Sequence, residues 1–297
     1  MAQFRVNLVI IGVGKAGTTS LAKWLSDLDE CCFSEPKETM FFGSDRLFEK
    51  GIDWYQNTFF PHYAGESLVA EATPAYSIRA QCGAAAERIH EHNPQSKIIY
   101  MVRDPLARCV SAWKMWASLE PTQSDFGNHL ITTSKKGFNN WLRDPVVYKH
   151  MVLTSSYRYQ LEAWQLFPKE QQHVIFLEDL KERKTDTLNK VSNFLELAPG
   201  TLEEASRINY NTGENRSQKT PFRRRLEESS LWNSVKGLVP GGLKAAVAES
   251  NIGSKPIKFG NDDWETNLRA KFLQDISEDN IAFLKDFGKP AEFWTRT

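Results

Sequence analysis

The chain has 297 residues, of which 41% are apolar and 12% aromatic, so it can fill a sizeable hydrophobic core. Lysine plus arginine and aspartate plus glutamate each number 37, which gives a formal net charge of zero. This balance excludes a global field that would hold nucleic acid or an anionic membrane, and we expect neither as a partner. No apolar run approaches the roughly 20 residues that a membrane span requires.

Apolar, β-branched runs alternate with amphipathic stretches from the start of the chain. The predicted strands are VNLVII (6–11), KIIYMV (97–102) and HVIFLEDL (173–180), and the predicted helices are LAKWLSDL, ARCVSAWKMW and TLNKVSNFLEL. Strands that are apolar on both faces and alternate with helices indicate a parallel sheet covered on each side. We therefore predict an α/β fold with three layers, in which a central, mostly parallel sheet has helices on both faces.

A single domain over residues 1–297 is the simplest prediction, because no repeat or low-complexity tract interrupts the chain. The Gly/Pro-bearing segment 237–260 is typical of a long loop or lid with one short helix. The last predicted helix spans about 263–286 and should pack on the main core. Its apolar positions are Leu268, Phe272, Ile276, Phe283 and Leu284.

The cysteines indicate a reducing compartment. Cys31, Cys32, Cys82 and Cys109 include an adjacent pair but no CxxC spacing, so neither a zinc site nor a disulfide framework is indicated. The first predicted strand begins at about residue 6, which leaves no room for a signal sequence. We therefore expect a cytoplasmic protein.

The turn after the first predicted strand fits two phosphate-binding patterns incompletely. Gly12-x-Gly14-x-x-Gly17 matches the dinucleotide fingerprint, and Gly12-x-x-x-x-Gly17 matches the start of a triphosphate loop. A triphosphate loop requires lysine directly after its last glycine, where this chain has Thr18. The acidic residue near the ribose-contact distance, Glu35, falls in the loop-like SEPKE and not at a strand end.

The same turn also indicates a third kind of phosphate site. The run Gly17-Thr18-Thr19-Ser20 adds three hydroxyls to the backbone N–H groups of a helix start, and Lys15 lies in the preceding loop. That arrangement suits a terminal tetrahedral anion. An ordinary helix cap beside a solvated lysine is the alternative.

A second candidate element is KIIYMVRDPLARCVSAW. Its strand ends at Arg103, Asp104 and Pro105, and a helix begins at once, with Ser111 about two turns along. An arginine at the carboxyl end of a parallel strand points into the crevice where open α/β sheets bind ligands. Its guanidinium and the Ser111 hydroxyl suit a phosphate, whereas a salt bridge to Asp104 or another carboxylate is the alternative for Arg103.

Together the two elements resemble the superfamily of sulfotransferases that use 3′-phosphoadenosine 5′-phosphosulfate (PAPS). EPKETMFF (35–42), GIDWYQNTF and EATPAYS (71–77) are similar in order and spacing to the heparan-sulfate-type sulfotransferase domain. YRYQLEAWQLFPKEQQHVIFLEDLK (157–181) and LKDFGKPAEFW (284–294) resemble bacterial members of the group. The resemblance covers nearly the whole chain. It implies a P-loop-NTPase-like fold and sulfuryl transfer from PAPS, with 3′-phosphoadenosine 5′-phosphate (PAP) as product.

The resemblance also implies roles for individual residues. Arg103 and Ser111 would hold the 3′-phosphate, and Glu38 takes the position of the family's catalytic base. Arg216 and Ser217, in the basic segment NTGENRSQKTPFRRR (211–225), would close over the 3′-phosphate. The phosphosulfate would be held by Lys15, Ala16, Gly17, Thr18, Thr19 and Ser20. Without the resemblance, surface solvation is the favoured interpretation of Glu38, and a solvated basic loop is the alternative for Arg216.

The chemistry requires the same residue types. By analogy with phosphoryl transfer, negative charge builds on the bridging oxygen of the leaving phosphate, where Lys15 and the helix N-terminus would stabilise it. Glu38 would remove the proton of the acceptor as attack proceeds. No metal is expected, since lysine and backbone donors carry this function and the six histidines show no HxH or HExxH spacing.

The acceptor is predicted to be a small molecule. Glycan-modifying relatives carry lysine where EATPAYS has Ala72, and they lie behind a membrane anchor that we do not expect for this protein. Members of the cyanobacterial type that modify natural products, including guanidinium alkaloid toxins, fit a chain of this size. Six aromatic side chains are candidates for the walls of an acceptor cleft, although the helical spacing of two of them is also typical of a core. They are Phe41, Phe42, Tyr76, Trp113, Trp116 and Trp141.

Two properties and two rival functions stay open at this point. A hydroxyl and an amine or guanidine nitrogen are both possible acceptor groups, and the oligomeric state is undetermined. A nucleotide kinase of the same sheet topology is the rival enzyme, disfavoured by Thr18 and by Arg103 at a strand end where a magnesium-binding aspartate would be required. A nucleotide-binding module without turnover is the rival outside enzymology.

Overall fold

A computed structural model describes residues 4–122, 124–207, 217–219, 254–257 and 263–294. The chain divides into two compact units. The first unit comprises Met1–Arg108, Tyr148–Asn211 and Thr266–Thr297, and the second comprises Cys109–Val147 and Thr212–Glu265. The assignment of one domain to residues 1–297 stays a prediction.

Five strands form the sheet at the centre of the first unit, and every neighbouring pair is parallel. Their spatial order is β2-β3-β1-β4-β5. All residues of β1 and β3 are buried, as expected for apolar strands with a neighbour on each side and helices around the sheet. The predicted α/β fold with a parallel sheet is confirmed. The strands are β1 Leu8–Gly12, β2 Cys31–Phe33, β3 Leu68–Ala72, β4 Lys97–Val102 and β5 Gln172–Phe176.

Helices connect and follow the strands. The helices predicted after the first, fourth and fifth strands are present as α1, α6 and α12. The described helices are α1 Thr18–Ser26, α2 Asp45–Phe48, α3 Ile52–Phe59, α4 Arg79–Cys82, α5 Ala85–His92, α6 Pro105–Ser118, α7 Asp125–Ser134, α8 Phe138–Arg143, α9 Pro145–Ser155, α10 Tyr157–Glu162, α11 Leu177–Glu182, α12 Lys184–Leu195, α13 Thr201–Ala205 and α14 Thr266–Asp286.

The C-terminal helix α14 lies within the predicted bounds and packs on the core of the first unit. Phe272, Ile276, Phe283 and Leu284 are buried, whereas Leu268 is partly exposed. The predicted lid at 237–260 lies outside the described residues, apart from 254–257. There, Ser254–Pro256 forms a strand, β7, that pairs antiparallel with β6, Ser217–Lys219.

One predicted strand was too long. The segment 173–180 was expected to be one strand, but β5 ends at Phe176 and α11 begins at Leu177. Glu178 and Asp179 lie in the first turn of α11, where the helix dipole favours acidic side chains. The apolar residues that suggested a continued strand belong instead to the buried side of this helix, through Leu180.

The strand order places the loop after β1 at a topological switch point. The chain leaves β1 toward β2 and β3 on one side, and then crosses to β4 and β5 on the other. Ile10 of β1 is therefore flanked by Ala72 of β3 and Ile99 of β4. In open α/β sheets, ligands bind outside the carboxyl ends of the strands at such a point.

Two further findings concern the cysteines and membrane-spanning helices. All four cysteines are buried, and none forms a disulfide. Among the helices that the structure describes, none combines the length and apolar character needed to cross a bilayer.

We predict that stability falls on acidification. Burial lowers the pKa of His92, His150 and His173 to about 4, from an ordinary value of 6.5. His92 is held neutral, since its Nε2 accepts the Val6 N–H at 3.0 Å. The unfolded chain therefore binds more protons than the folded one between pH 6.5 and 4, so stability falls as pH falls through this window. The buried Asp104, with its pKa raised to about 6, opposes this in part.

Thermal melts from pH 7 to pH 4 at constant ionic strength test this. His92→Gln keeps an acceptor for the Val6 N–H but does not titrate, so its Tm should fall less steeply with acidification than that of the wild type. Parallel Tm curves for the two proteins would contradict the role given to His92.

Candidate functional site

The glycine loop, residues 12–17, joins β1 to α1 and has two positions where a side chain does not fit. Gly17 has a φ of 91°, in the left-handed region, and a Cβ there would lie 2.9 Å from a leucine side chain. A Cβ on Gly12 would collide with Ser77 Oγ. A Cβ on Gly14 would have nothing within 4 Å, so the second glycine of the dinucleotide fingerprint has no steric requirement here.

Helix α1 starts with an uncapped N-terminus at this loop. Gly17 is its N-cap residue and has no side chain that could accept from the first-turn N–H groups. The N–H of Ser20 donates to the Gly17 carbonyl at 3.0 Å, whereas the N–H groups of Thr18 and Thr19 have no acceptor within the helix. Thr18 and Thr19 therefore present N–H groups where the helix dipole favours an anion.

The structure brings Arg103 to the glycine loop. Arg103 follows β4 directly, and its Nη1 donates to the Lys15 carbonyl oxygen at 3.2 Å. Its own carbonyl accepts from the Tyr157 hydroxyl at 2.6 Å, which fixes the main chain at this point. Burial lowers the pKa of Arg103, and Glu178 and Asp104 oppose the shift. The guanidinium nevertheless stays charged at neutral pH.

Asp104 is engaged elsewhere and does not form the alternative salt bridge with Arg103. Its carboxylate accepts from the Ala107 N–H in the first turn of α6 at 2.6 Å, and its N–H donates to Glu178 at 2.9 Å. Among the described residues, no carboxylate lies within ion-pairing distance of Arg103. A partly buried guanidinium that donates to a main-chain carbonyl, and that pairs with no carboxylate among the described residues, is suited to an anionic ligand.

Glu38 lies in a segment after β2 that belongs to no helix or strand. Its side chain is 53% exposed and pairs with the ammonium of Lys37 at 2.8 Å. The same ammonium donates to the carbonyl oxygen of Ala72, at the carboxyl end of β3, at 3.1 Å. The main chain is joined there as well, since the Ala72 N–H donates to the Lys37 carbonyl at 3.2 Å. Glu38 is thus held near the carboxyl edge of the sheet.

Sequence reasoning missed the residue beneath this segment. Glu71 is fully buried, and its carboxylate accepts hydroxyl hydrogen bonds from Thr39 at 2.6 Å, Tyr55 at 2.7 Å, Thr73 at 2.8 Å and Tyr76 at 3.3 Å. Burial raises its pKa, and the hydrogen bonds oppose the shift. The signal that was available is an acidic residue inside the apolar strand LVAEA.

Some predicted site residues lie elsewhere in the chain. Ser111 is partly exposed on α6 and belongs to the second unit. Ser217 begins β6, also in the second unit, and Arg216 lies outside the described residues. The roles of these three residues at the 3′-phosphate remain predictions.

Five of the six aromatic residues that were possible cleft walls are buried. Phe41, Phe42 and Tyr76 are at most 1% exposed, and Phe41 stacks on Tyr55 with 4.2 Å between ring centroids. In the second unit, Trp141 is fully buried. Trp113 is also buried and donates its indole N–H to the Ser134 carbonyl at 3.0 Å, and Trp116 is partly exposed. These five buried side chains belong to the core and do not line a cleft.

Comparison with known proteins establishes the family. The family model described as "Sulfotransferase domain" matches residues 6–236, which is more than three quarters of the chain. The chain therefore belongs to the sulfotransferase domain family, and the resemblance found in the sequence is confirmed. The rival nucleotide kinase is disfavoured further by this match.

Individual relatives agree with this assignment. Heparan sulfate glucosamine 3-O-sulfotransferase 5 of Mus musculus is 31% identical over 198 residues, which cover 64% of this chain and 53% of the relative. The Homo sapiens counterpart is 32% identical over the same length. The chain thus spans about half the length of the curated relatives it matches. A sulfotransferase structure from Alicyclobacillus acidocaldarius aligns with a TM-score of 0.61 at 19% identity, over 99% of this chain and 100% of that one, which shows the fold.

Proposed function

We propose that this protein is a PAPS-dependent sulfotransferase that moves the sulfuryl group of PAPS to a hydroxyl or nitrogen of a small molecule. The observation that carries the proposal is the hydrogen bond from Arg103 to the Lys15 carbonyl. It joins the two elements expected to bind the two phosphate-bearing ends of the donor, beside a helix N-terminus that Gly17 leaves uncapped. Family membership supports the same assignment.

The residues at the site fit such a donor. The first turn of α1, with Thr18 and Thr19, together with Lys15 would hold the 5′-phosphosulfate. Arg103 would pair with the 3′-phosphate, a charge-assisted contact that a nucleotide without this phosphate does not make. Ser111, Arg216 and Ser217 are proposed as further 3′-phosphate ligands on the resemblance alone, and Ala16, Gly17 and Ser20 as loop contacts to the phosphosulfate.

The proposed reaction is one displacement at sulfur. The acceptor oxygen or nitrogen forms a bond to sulfur, the bond between sulfur and the bridging phosphate oxygen breaks, and PAP leaves. Glu38 takes the proton of the acceptor, and its half-exposed carboxylate is accessible for this. Lys15 and the N-terminus of α1 stabilise the negative charge that develops on the bridging oxygen. No step requires a metal ion.

A cavity of about 420 Å³ is our candidate for the acceptor site. It is lined by Thr19 and Lys23 of α1, by Ser34 after β2, and by Lys37 and His62. Thr19 belongs to the proposed donor site as well, and Lys37 pairs with the proposed base. The lining combines lysines and hydroxyl groups with the carboxylates of Glu35 and Glu66, and this mixture suits a polar acceptor of small size.

A small-molecule acceptor, such as a natural product, is the finer part of the proposal. The curated relatives are named for heparan sulfate glucosamine, whereas this chain has Ala72 at the lysine position of glycan-modifying relatives. Lys37 places an ammonium close to this position, 3.1 Å from the Ala72 carbonyl oxygen. The missing lysine side chain at Ala72 is therefore a weaker argument against a glycan acceptor. Incubation with PAPS and either a metabolite library or heparan sulfate oligosaccharides, followed by detection of sulfate mass, separates the two acceptor classes.

We expect PAP to raise the Tm far more than AMP, ADP or ATP, because Arg103 recognises the 3′-phosphate. Arg103→Ala should weaken PAP binding by about 2 kcal/mol, or roughly 30-fold, through loss of charge-assisted hydrogen bonds. AMP, which lacks the 3′-phosphate, should bind both proteins alike. Calorimetric titration with PAP and AMP measures both effects.

The matched control is Arg158→Ala. Arg158 is an exposed arginine of the first unit that pairs with Asp286 at 2.9 Å, and its loss should leave PAP binding unchanged. Equal Tm shifts with PAP and ATP would refute the proposed function. Equal loss of PAP affinity in both arginine variants would refute the role of Arg103.

A further inference from the structure

Burial of the Glu71 carboxylate is unfavourable in free energy, and the strand that contains it does not require an acidic residue at this position. An ionised carboxyl group in an apolar interior is strongly unfavourable unless hydrogen bonds or a cation compensate it. Among the described residues Glu71 has no cationic partner, and its compensation comes from four hydroxyl groups. A hydrophobic residue would complete the strand LVAEA without this cost.

One of the four hydroxyls belongs to the segment that carries Glu38. Thr39 donates its hydroxyl to Glu71 Oε2 at 2.6 Å, and the same hydroxyl oxygen accepts the Phe41 N–H at 3.2 Å. The Thr39 N–H donates to the Thr73 hydroxyl at 3.1 Å, and Thr73 in turn donates to Glu71. Thr39 is therefore fastened to Glu71 both directly and through Thr73.

The Tyr76 hydroxyl extends the same attachment. The Phe42 N–H donates to the Tyr76 hydroxyl at 3.1 Å, and that hydroxyl lies 3.3 Å from each oxygen of Glu71. Three main-chain N–H groups within 39–42 thus end on hydroxyls that contact Glu71. Met40, between them, has a φ of 56°, a conformation that non-glycine residues rarely adopt and that such an attachment maintains.

Glu38 itself has little packing to hold it. Its side chain is 53% exposed and its backbone is in neither a helix nor a strand. Its position is set by its neighbours, of which Lys37 is bonded to Ala72 and Thr39 to Glu71. Both neighbours are thereby attached to consecutive residues of β3, the strand beside β1 and its glycine loop.

We propose that Glu71 is a positioning residue that acts through Thr39 to hold Glu38 in place for proton removal. The proposal rests on the function proposed above, in which Glu38 is the base. A base must lie within hydrogen-bond reach of the proton it removes, so loss of the attachment should slow turnover without weakening donor binding.

Thr39→Val tests the link directly, because it removes the hydroxyl and nearly conserves the shape of the side chain. With PAPS as donor and water as acceptor, formation of PAP and sulfate should slow by about 10-fold or more, with the KM for PAPS unchanged. Glu71→Gln should act in the same direction. Thr39→Ser keeps the hydroxyl and should retain turnover.

The control for a buried threonine is Thr133→Val. The Thr133 hydroxyl is buried on α7 in the second unit and donates to the His129 carbonyl at 2.6 Å within its own helix. This variant should keep wild-type turnover. It separates the proposed effect from a general response to loss of a buried hydroxyl.

A double variant decides between positioning and a merely structural role. If Glu71 and Thr39 act through Glu38, Thr39→Val should lower turnover in the wild type and have no further effect in a Glu38→Gln background. Equal losses in both backgrounds, wild-type turnover in Thr39→Val, or a Thr39→Ser variant as slow as Thr39→Val would overturn this inference alone. Wild-type turnover in Glu38→Gln would instead refute the base assignment, and this inference with it.

Discussion

Glu38→Gln should lower sulfuryl transfer by about 10²- to 10⁴-fold, the range that general bases contribute, while leaving PAP binding nearly unchanged. Glutamine keeps the size and hydrogen-bonding capacity of the side chain but cannot take a proton at neutral pH. Because the side chain is half exposed and pairs, within the described part of the chain, with Lys37 alone, little stability should be lost. Turnover, measured as PAP formation from PAPS, and calorimetric PAP titration separate the two effects.

Glu49→Gln is the matched control. Glu49 is an exposed acidic residue that follows the same segment, at the C-terminal end of α2, and its N–H is already used in the helix. It should keep wild-type turnover and PAP affinity. A Glu38→Gln variant that turns over as fast as Glu49→Gln would show that another group removes the proton.

The long strands could be predicted because they are buried on both faces. VNLVII and KIIYMV are mostly apolar, with Asn7 and Tyr100 as the polar-bearing residues inside the two runs. Both runs form interior strands of the sheet. The glycine loop could also be predicted, from its three glycines between a strand and a helix. The structure gives a steric reason for two of them, because a Cβ does not fit at Gly12 or Gly17. Strand order, by contrast, depends on which strands pair across long stretches of chain, and a periodicity of two carries no such information.

The two strands of the five-stranded sheet that the sequence did not predict, β2 and β3, have weak local signals. β2 has three residues, too few for a period to be recognised, and β3 contains Glu71 among its apolar residues. Glu71 is stable there because Thr39, Tyr55 and Tyr76 come from elsewhere in the chain to donate to it. A buried acidic residue and its partners are brought together by the tertiary fold, which local patterns do not encode.

The candidate site could be predicted only in part. Lys15 and Arg103 each follow a predicted strand, so their meeting at one edge of a parallel sheet follows from the fold class. The contact between the Arg103 guanidinium and the Lys15 carbonyl did not follow, since it depends on β1 and β4 being neighbours. The burial of Phe41 and Phe42 was also unpredictable, because an aromatic pair is typical of a cleft wall and of a core alike.

Lys15→Ala should lower the rate of transfer by about 10²- to 10³-fold, more than it lowers affinity for the donor, by analogy with loss of one oxyanion donor. Negative charge grows on the bridging oxygen as the sulfuryl group leaves, so an ammonium there stabilises the transition state more than the ground state. Alanine is the suitable replacement. Lys15 has a φ of 76°, and since alanine also carries a Cβ, the backbone strain is the same in both proteins.

Single-turnover rates with PAPS and equilibrium binding of PAP, measured side by side, test this prediction. Lys190→Ala, which removes an exposed lysine of α12, should behave as wild type in both measurements. Lys15→Arg should restore the rate only in part, because a planar guanidinium does not replace a compact ammonium in a tight glycine turn. A loss confined to binding would show that Lys15 only anchors the donor. Wild-type rates in Lys15→Ala would mean that the lysine is a solvated loop residue, and that the helix N-terminus alone stabilises the leaving phosphate.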